Sequence, residues 1–157
     1  MTTIYEGDPK SPVMKIAIVV SKYNASITER LLEGALETLR EHEVAENNID
    51  VAKVPGAWEL TVAAAQMART RRYQAVICLG AVIKGETTHD QYINQQVSHN
   101  LGQLSLECGI PITFGLLTCN TVEQAINRAG GSVGNKGSES VLAALEMIDL
   151  LRQIPSS

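Results

Sequence analysis

Apolar residues follow two rhythms along this chain. Nearly continuous apolar runs at residues 15–20, 75–81 and 111–117, with the stretch Ile49–Val54, read as strands. Between them the spacing changes to the helical i, i+3, i+4 pattern. A helix starts near Ser26 with Ile27, Leu31, Leu32, Ala35, Leu36 and Leu39 as its apolar face. Pro55-Gly56 breaks the second strand, and an alanine-rich helix runs from Trp58 to Ala68 until Arg69-Thr70-Arg71-Arg72 ends it. After the third strand Gly85 marks a turn, and a long helix reaches to about Cys108 with Ile93, Val97, Leu101 and Leu104 on one face; Gly109 terminates it. The fourth strand is followed by a short helix from Val122 to Arg128, a glycine-rich loop over residues 130–137, and a last amphipathic helix over residues 138–153. Residues 1–13 lack a period and hold Pro9 and Pro12, so they predict an arm or edge strand lying on another surface, such as a neighbouring subunit.

Four strand-then-helix units in succession imply a parallel sheet with helices on both faces, because each parallel crossover must run over a face and does so right-handedly. The expected fold is therefore α/β: a flavodoxin-like three-layer sandwich on a four-stranded parallel sheet, with one domain at residues 14–157 behind an arm at residues 1–13. Ligands of such sheets bind beyond the C-terminal strand ends. Those ends carry Tyr23-Asn24, Gly56 to Glu59, Ala81 to His89, and Phe114 onward.

Composition narrows the function classes. A length of 157 residues with 45% hydrophobic content suits one domain with a sizeable core. The net charge of −4 and the lack of a Lys/Arg cluster with interleaved aromatics argue against nucleic acid or an anionic membrane as the main partner. No apolar run approaches the length that spans a bilayer, and residues 1–14 lack the pattern of a leader. Cys78, Cys108 and Cys119 are odd in number and lack metal-ligand spacing, which predicts buried reduced thiols, no metal, and a cytoplasmic location. Of six aromatic residues, four (Tyr23, Trp58, Tyr92 and Phe114) fall in or near the strand-end junctions, where a flat ring would be stacked or where an aromatic-poor core simply finds room.

Candidate chemistry concentrates at Gly80 to His89. Glu86, Thr87, Thr88 and His89 are expected in the first turn of the third helix, where free N–H groups and the helix dipole favour an anion such as phosphate. A capped helix start with a surface histidine would look the same. Nucleotide fingerprints fail: residues 130–137 are glycine-rich but lack the Gly-Lys-Ser/Thr end of a P-loop, and no strand is followed by a dinucleotide glycine triplet. Arg128 and Lys136 bracket that loop, which is able to fold over an anion.

Four strings in register resemble one family. Val54-Pro55-Gly56-Ala57-Trp58-Glu59-Leu60, Gly80-Ala81-Val82-Ile83-Lys84-Gly85-Glu86-Thr87 with His89, Phe114-Gly115-Leu116-Leu117-Thr118, and Gly134-Asn135-Lys136-Gly137 are similar to the motifs of lumazine synthases, the riboflavin-pathway enzymes. The resemblance implies a transferase condensing 5-amino-6-(D-ribitylamino)uracil with 3,4-dihydroxy-2-butanone 4-phosphate to 6,7-dimethyl-8-ribityllumazine, with release of phosphate and water and no cofactor. Carried over residue by residue, it implies that Tyr23, Ala57, Trp58, Glu59, Ala81, Val82, Ile83 and Phe114 hold the pyrimidine, with Lys136 near the same pocket. It implies that Glu86, Thr87 and Arg128 hold the phosphate, and that His89 transfers protons, a task suited to imidazole. In the family, Phe114 and Arg128 reach the site from an adjacent subunit, which implies a homopentamer. Some members close twelve pentamers into an icosahedral shell of sixty subunits, and the short loop at residues 130–137 leans toward the shell. A riboflavin synthase partner is implied as well.

The chain departs from the family pattern at three places. Tyr23 stands where phenylalanine is usual, Thr61 replaces the proline after the Glu-Leu pair, and Asp90-Gln91 precede Tyr92 where an aromatic and Asp are usual. Asp90 either raises the His89 pKa or caps the helix. Two other classes fit the fold: a flavin- or lumazine-binding or shell protein without turnover, against which His89 and Arg128 argue, and a signalling receiver, whose acidic cluster is replaced by Ser21-Lys22-Tyr23-Asn24.

Overall fold

A computed structural model describes residues 1–13 and 15–156; Met14 and Ser157, at the margins of the expected domain, lie outside the described residues. Four parallel strands, β1 (Ile16–Ser21), β2 (Ile49–Val54), β3 (Ala75–Ile83) and β4 (Ile112–Cys119), form one sheet in the order β2-β1-β3-β4. Helices α1 (Ala25–Glu41), α2 (Leu60–Arg69), α3 (His89–Cys108), α4 (Val122–Asn127) and α5 (Lys136–Gln153) supply the outer layers. Each crossover carries a helix, as a parallel connection requires.

The alternation of side chains along a strand sorts the core into two halves. Ile16, Ile18 and Val20 of β1 join Ile77 and Leu79 of β3 on the face covered by α1 (Ile27, Leu31, Leu39) and α5 (Val141, Leu145). Ala17 and Val19 join Val76 and Cys78 on the face covered by α2 (Leu60, Ala64) and α3 (Val97, Leu101, Leu104). All six residues of β1 are buried, because both its neighbours and both its faces are occupied. The result is the expected flavodoxin-like three-layer sandwich. Burial pushes the Cys78 thiol up to about 12, so this cysteine stays protonated inside the second half-core.

Several boundaries differ from the sequence expectation. The third strand continues to Ile83 and the fourth to Cys119, because the β3–β4 ladder runs unbroken from Val76↔Ile112 to Ile83↔Cys119. The glycine-rich stretch is not a plain loop: β5 (Ala129–Gly131) and β6 (Gly134–Asn135) pair antiparallel, and α5 starts at Lys136 rather than Ser138. The Asn135 side chain sets that start, accepting from the N–H groups of Gly137 at 2.8 Å and Ser138 at 3.2 Å. Gly137 can sit there only as glycine, since a Cβ would come within 2.0 Å of the Leu31 carbonyl oxygen of α1.

Residues 1–13 form an arm and not an edge strand; the arm lies along α5 of its own chain. Asp8 N–H donates to Asp149 Oδ2 at 2.8 Å, Gln153 Nε2 to the Glu6 carbonyl at 2.6 Å, and Arg152 to the Pro12 carbonyl at 2.6 Å.

At the end of the sheet away from the strand C-termini, Tyr73 donates to Asp50 Oδ2 at 2.5 Å and Lys15 Nζ lies 3.3 Å from the same oxygen. The Tyr73 hydrogen bond, then that of Lys15, holds the Asp50 carboxyl below the ordinary aspartate value, and this carboxylate raises the Tyr73 phenol above its own. A depressed native pKa stabilises the fold above the unfolded value and loses that stabilisation as pH falls through the native one. The melting temperature of the wild type should therefore exceed that of Asp50→Asn by a constant margin from neutrality down to about pH 4, and the margin should close at lower pH. Thermal melts of both proteins across that range check it; a margin that persists undiminished in strong acid would mean the carboxylate charge contributes nothing.

Candidate active site

The C-terminal strand ends and the segments that leave them enclose a cleft of about 460 Å³. Its floor is the end of β3, at Ala81, Val82 and Ile83. One wall is Tyr23 and Asn24, between β1 and α1. Beside it lie Gly56 and a 3₁₀ turn, Ala57–Glu59, and the segment leading into α3 adds Gly85, Thr87, His89, Asp90 and Ile93. Among the described residues no Lys or Arg lines this cleft.

Local bonding fixes each wall. Backbone ladders extend past the strands, with Lys22 N–H on the Val54 carbonyl at 2.8 Å and Tyr23 N–H on that of Pro55 at 3.0 Å. Asn24 caps α1 in a left-handed conformation (φ 63°), which asparagine tolerates better than most residues, and its Nδ2 donates to the Ala81 carbonyl at 2.9 Å. Asn24 thus ties the Tyr23 wall to the β3 floor. It was not singled out as a candidate residue, although its place at a strand end was a usable signal. Glu59 folds back so that Oε1 accepts from Gly56 N–H at 3.0 Å, the carboxylate half of a capping box. Gln96 of α3 donates to the Trp58 carbonyl at 3.0 Å and accepts from Thr61 Oγ1 at 2.6 Å, which gives the unusual Thr61 a role that a proline could not fill. Trp58 and Tyr23 present exposed rings to the opening, 54% and 74% accessible.

The expected helix-start site is arranged differently from the expectation. α3 begins at His89 with Thr88 as its cap residue, so Glu86 and Thr87 precede the first turn instead of forming it. Thr87 Oγ1 accepts the His89 N–H at 3.3 Å, and both residues line the cleft, whereas Glu86 is exposed outside it. Asp90 is not a side-chain cap: its Oδ1 is buried with no hydrogen-bond partner.

Of the expected site residues, Tyr23, Ala57, Trp58, Glu59, Ala81, Val82, Ile83, Thr87 and His89 come together here. Phe114, Arg128 and Lys136 do not. Phe114 pairs with Cys78 in the first half of β4, well short of the strand's C-terminal end, and is partly exposed on this edge strand. Arg128 and Lys136 line a second cleft of about 250 Å³ with Leu117, Thr118, Cys119 and Glu139, and Arg128 is anchored by its bond to the Gln124 carbonyl at 3.3 Å. Tyr92 is exposed on α3 and lines neither cleft.

A four-stranded parallel sheet between helix layers, with a cleft at its C-terminal strand ends, places the chain among flavodoxin-like α/β proteins. Residues 13–152 match the family model of 6,7-dimethyl-8-ribityllumazine synthase, and the chain belongs to that family. It is an enzyme of riboflavin biosynthesis with lumazine synthase activity. Among the described residues no helix is long and apolar enough to cross a membrane.

Removing the Asn24 tether tests how the cleft is held. Asn24→Ala loses a hydrogen bond and places alanine at positive φ, an expected loss of about 1–2 kcal/mol. Asn24→Gly keeps the backbone relaxed and should lose less. Denaturant unfolding of the three proteins measures both differences, and equal losses would show that the left-handed cap is not the strained element.

Proposed function

We propose that the enzyme condenses 5-amino-6-(D-ribitylamino)uracil with 3,4-dihydroxy-2-butanone 4-phosphate to 6,7-dimethyl-8-ribityllumazine, the penultimate step of riboflavin biosynthesis, and that a homopentamer does so at sites shared between subunits. The observation that carries this reading is the division of chemistry between two clefts. The larger offers ring faces, two carboxylates and a histidine but, among the described residues, no Lys or Arg, while Arg128 and Lys136 sit in the smaller one. A phosphate-bearing substrate needs both sets. Joining the small cleft of one chain to the large cleft of another, with the exposed Phe114 ring across the junction, supplies them together.

In this arrangement Tyr23 and Trp58 flank the pyrimidine, the backbone groups of residues 81–83 meet its uracil edge, and Glu59 takes ribityl hydroxyls. Thr87 and the neighbour's Arg128 hold the phosphate, with Glu86 at the rim and Lys136 close by. The substrate amine attacks the ketone, so no activated protein nucleophile is required. Imine formation, phosphate elimination, tautomerisation and ring closure follow, with His89 moving protons. Holding two reactants in attack geometry is worth several kcal/mol. The short β5–β6 hairpin suits an icosahedral shell of pentamers, a riboflavin synthase is the natural consumer of the product, and the three free thiols suit the cytoplasm.

Purified protein given both substrates should produce lumazine absorbance and free phosphate in step; a rate equal to the uncatalysed background would leave only ligand binding. His89→Ala should lower kcat by roughly ten- to a thousand-fold with little change in substrate affinity. Arg128→Ala should raise KM for the butanone phosphate by roughly ten- to a hundred-fold while sparing the pyrimidine. Refolding the two variants together restores about a quarter of the interfaces in a randomly mixed ring. Activity above the sum of the separate variants is the expected outcome, and mixed rings confirmed by mass without any gain would end the shared-site reading.

A further inference from the structure

Gln96 of α3 holds one side of the large cleft by a bond whose direction is fixed. A carbonyl oxygen can only accept, so the amide atom that faces the Trp58 carbonyl at 3.0 Å is the nitrogen. The amide oxygen then takes two donors from elsewhere, Thr61 Oγ1 at 2.6 Å and Asn100 Nδ2 at 3.2 Å. Each end of the amide is matched to its partners, and turning it over would set oxygen against oxygen at the Trp58 carbonyl. The turn Ala57–Glu59 also has bonds of its own, from Glu59 N–H to the Gly56 carbonyl at 3.2 Å and from Gly56 N–H to Glu59 Oε1 at 3.0 Å. Those close within the turn and do not fix it relative to α3. The Gln96 bond does.

The place of Gln96 on α3 gives that bond a bearing on the chemistry. Gln96 follows His89 by seven residues, which returns it to nearly the same side of the helix about 10 Å further along. His89 and Ile93 line the cleft, while Gln96 holds the turn that carries the Trp58 ring into it. One helix thus sets the separation between the histidine and the indole. We propose that Gln96 is a positioning residue of the condensation: by holding the Trp58 carbonyl it places the pyrimidine stacked on the indole so that the reacting amine lies within reach of His89. This inference rests on the substrates assigned above. Gln96 does not itself line the cleft, so it acts through Trp58. A displacement of about 1 Å in such a wall costs the fold little and the reaction a great deal. The butanone phosphate, held by Thr87 and the neighbour's Arg128, does not draw on this turn.

The test compares wild type, Gln96→Met and Gln96→Glu in ligand-free melts, in calorimetric titration with the pyrimidine, and in steady-state kinetics with each substrate varied. The fluorescence anisotropy of Trp58, the chain's single tryptophan, is read in the same three proteins. Gln96→Met keeps the side-chain length and none of the bonds. Its kcat should fall by roughly ten- to a hundred-fold, the order set by a misplacement of about 1 Å, with a smaller loss of pyrimidine affinity and an unchanged KM for the butanone phosphate. Trp58 anisotropy should fall as the turn loosens. Gln96→Glu keeps an acceptor for Thr61 and Asn100 but sets a carboxylate oxygen against the Trp58 carbonyl, so it should melt close to wild type and still lose kcat. A residue that only fastened α2 to α3 gives the reverse pattern: Gln96→Met melts lower with its kinetic constants intact, or Gln96→Glu restores stability and rate together. Either result overturns the assignment, as does a Gln96→Met protein with wild-type kcat, pyrimidine affinity and anisotropy. A wild type that neither binds the pyrimidine nor turns over overturns the substrate reading and this inference together.

Discussion

The constraint on which everything else depends is the parallel pairing of β1 with β3, from Ile16↔Ala75 to Val20↔Leu79. Both strands are covered on both faces, so their backbone groups can be satisfied only by each other and by the flanking strands. A parallel pair cannot be closed by a tight turn, so α1 and α2 must lie on the sheet and every strand must end at the same edge. The cleft is a by-product of that geometry. Tyr23, the Ala57–Glu59 turn and His89 meet because three strands deliver their chains to one line, and Asn24 and Gln96 then tie those deliveries together.

Separating the chemistry into two clefts follows from the same sheet. β4 is an edge strand, and α4 with the β5–β6 hairpin carries Arg128 and Lys136 to the α1–α5 side of the molecule, where Asn135 anchors α5 against the Arg30 carbonyl of α1. The His89 cleft opens on the side of α2 and α3. One chain therefore keeps the aromatic rings, carboxylates and histidine of one cleft apart from the Arg128 and Lys136 of the other.

The sheet was legible in the sequence because its strands are short apolar runs between helices of clear period, and residues 15–20 and 75–81 can be little else. The cleft was legible where its residues sit at strand ends: Tyr23, Ala57 to Glu59, Ala81 to Ile83, and His89. The strand end expected near Phe114 lies further on, at Cys119, because the register with β3 carries β4 on, and no local pattern encodes that register. Glu86 falls before the helix because Thr88 takes the cap position and moves the helix start three residues on. The hairpin at Ala129–Gly131 and Gly134–Asn135 was hidden in glycines that have no strand propensity, and only the contact of Asn135 with α1 reveals why the chain turns there. Arg128 and Lys136 could be read as cations flanking a loop, but no spacing along one chain shows which of two clefts a side chain will enter.

The Thr61–Gln96 contact bears on how this family can vary. Gln96 divides its amide between the Trp58 carbonyl and the hydroxyl of Thr61, and Asn100 Nδ2 also reaches its Oε1 at 3.2 Å. A proline at position 61 would take away one donor to that oxygen, and a smaller side chain at 96 would release the Trp58 backbone while stranding the hydroxyl. Neither change is neutral alone, so the energies of substitutions at 61 and 96 do not add, and α2 and α3 share one hydrogen-bond unit that sets the backbone under the tryptophan at the mouth of the cleft.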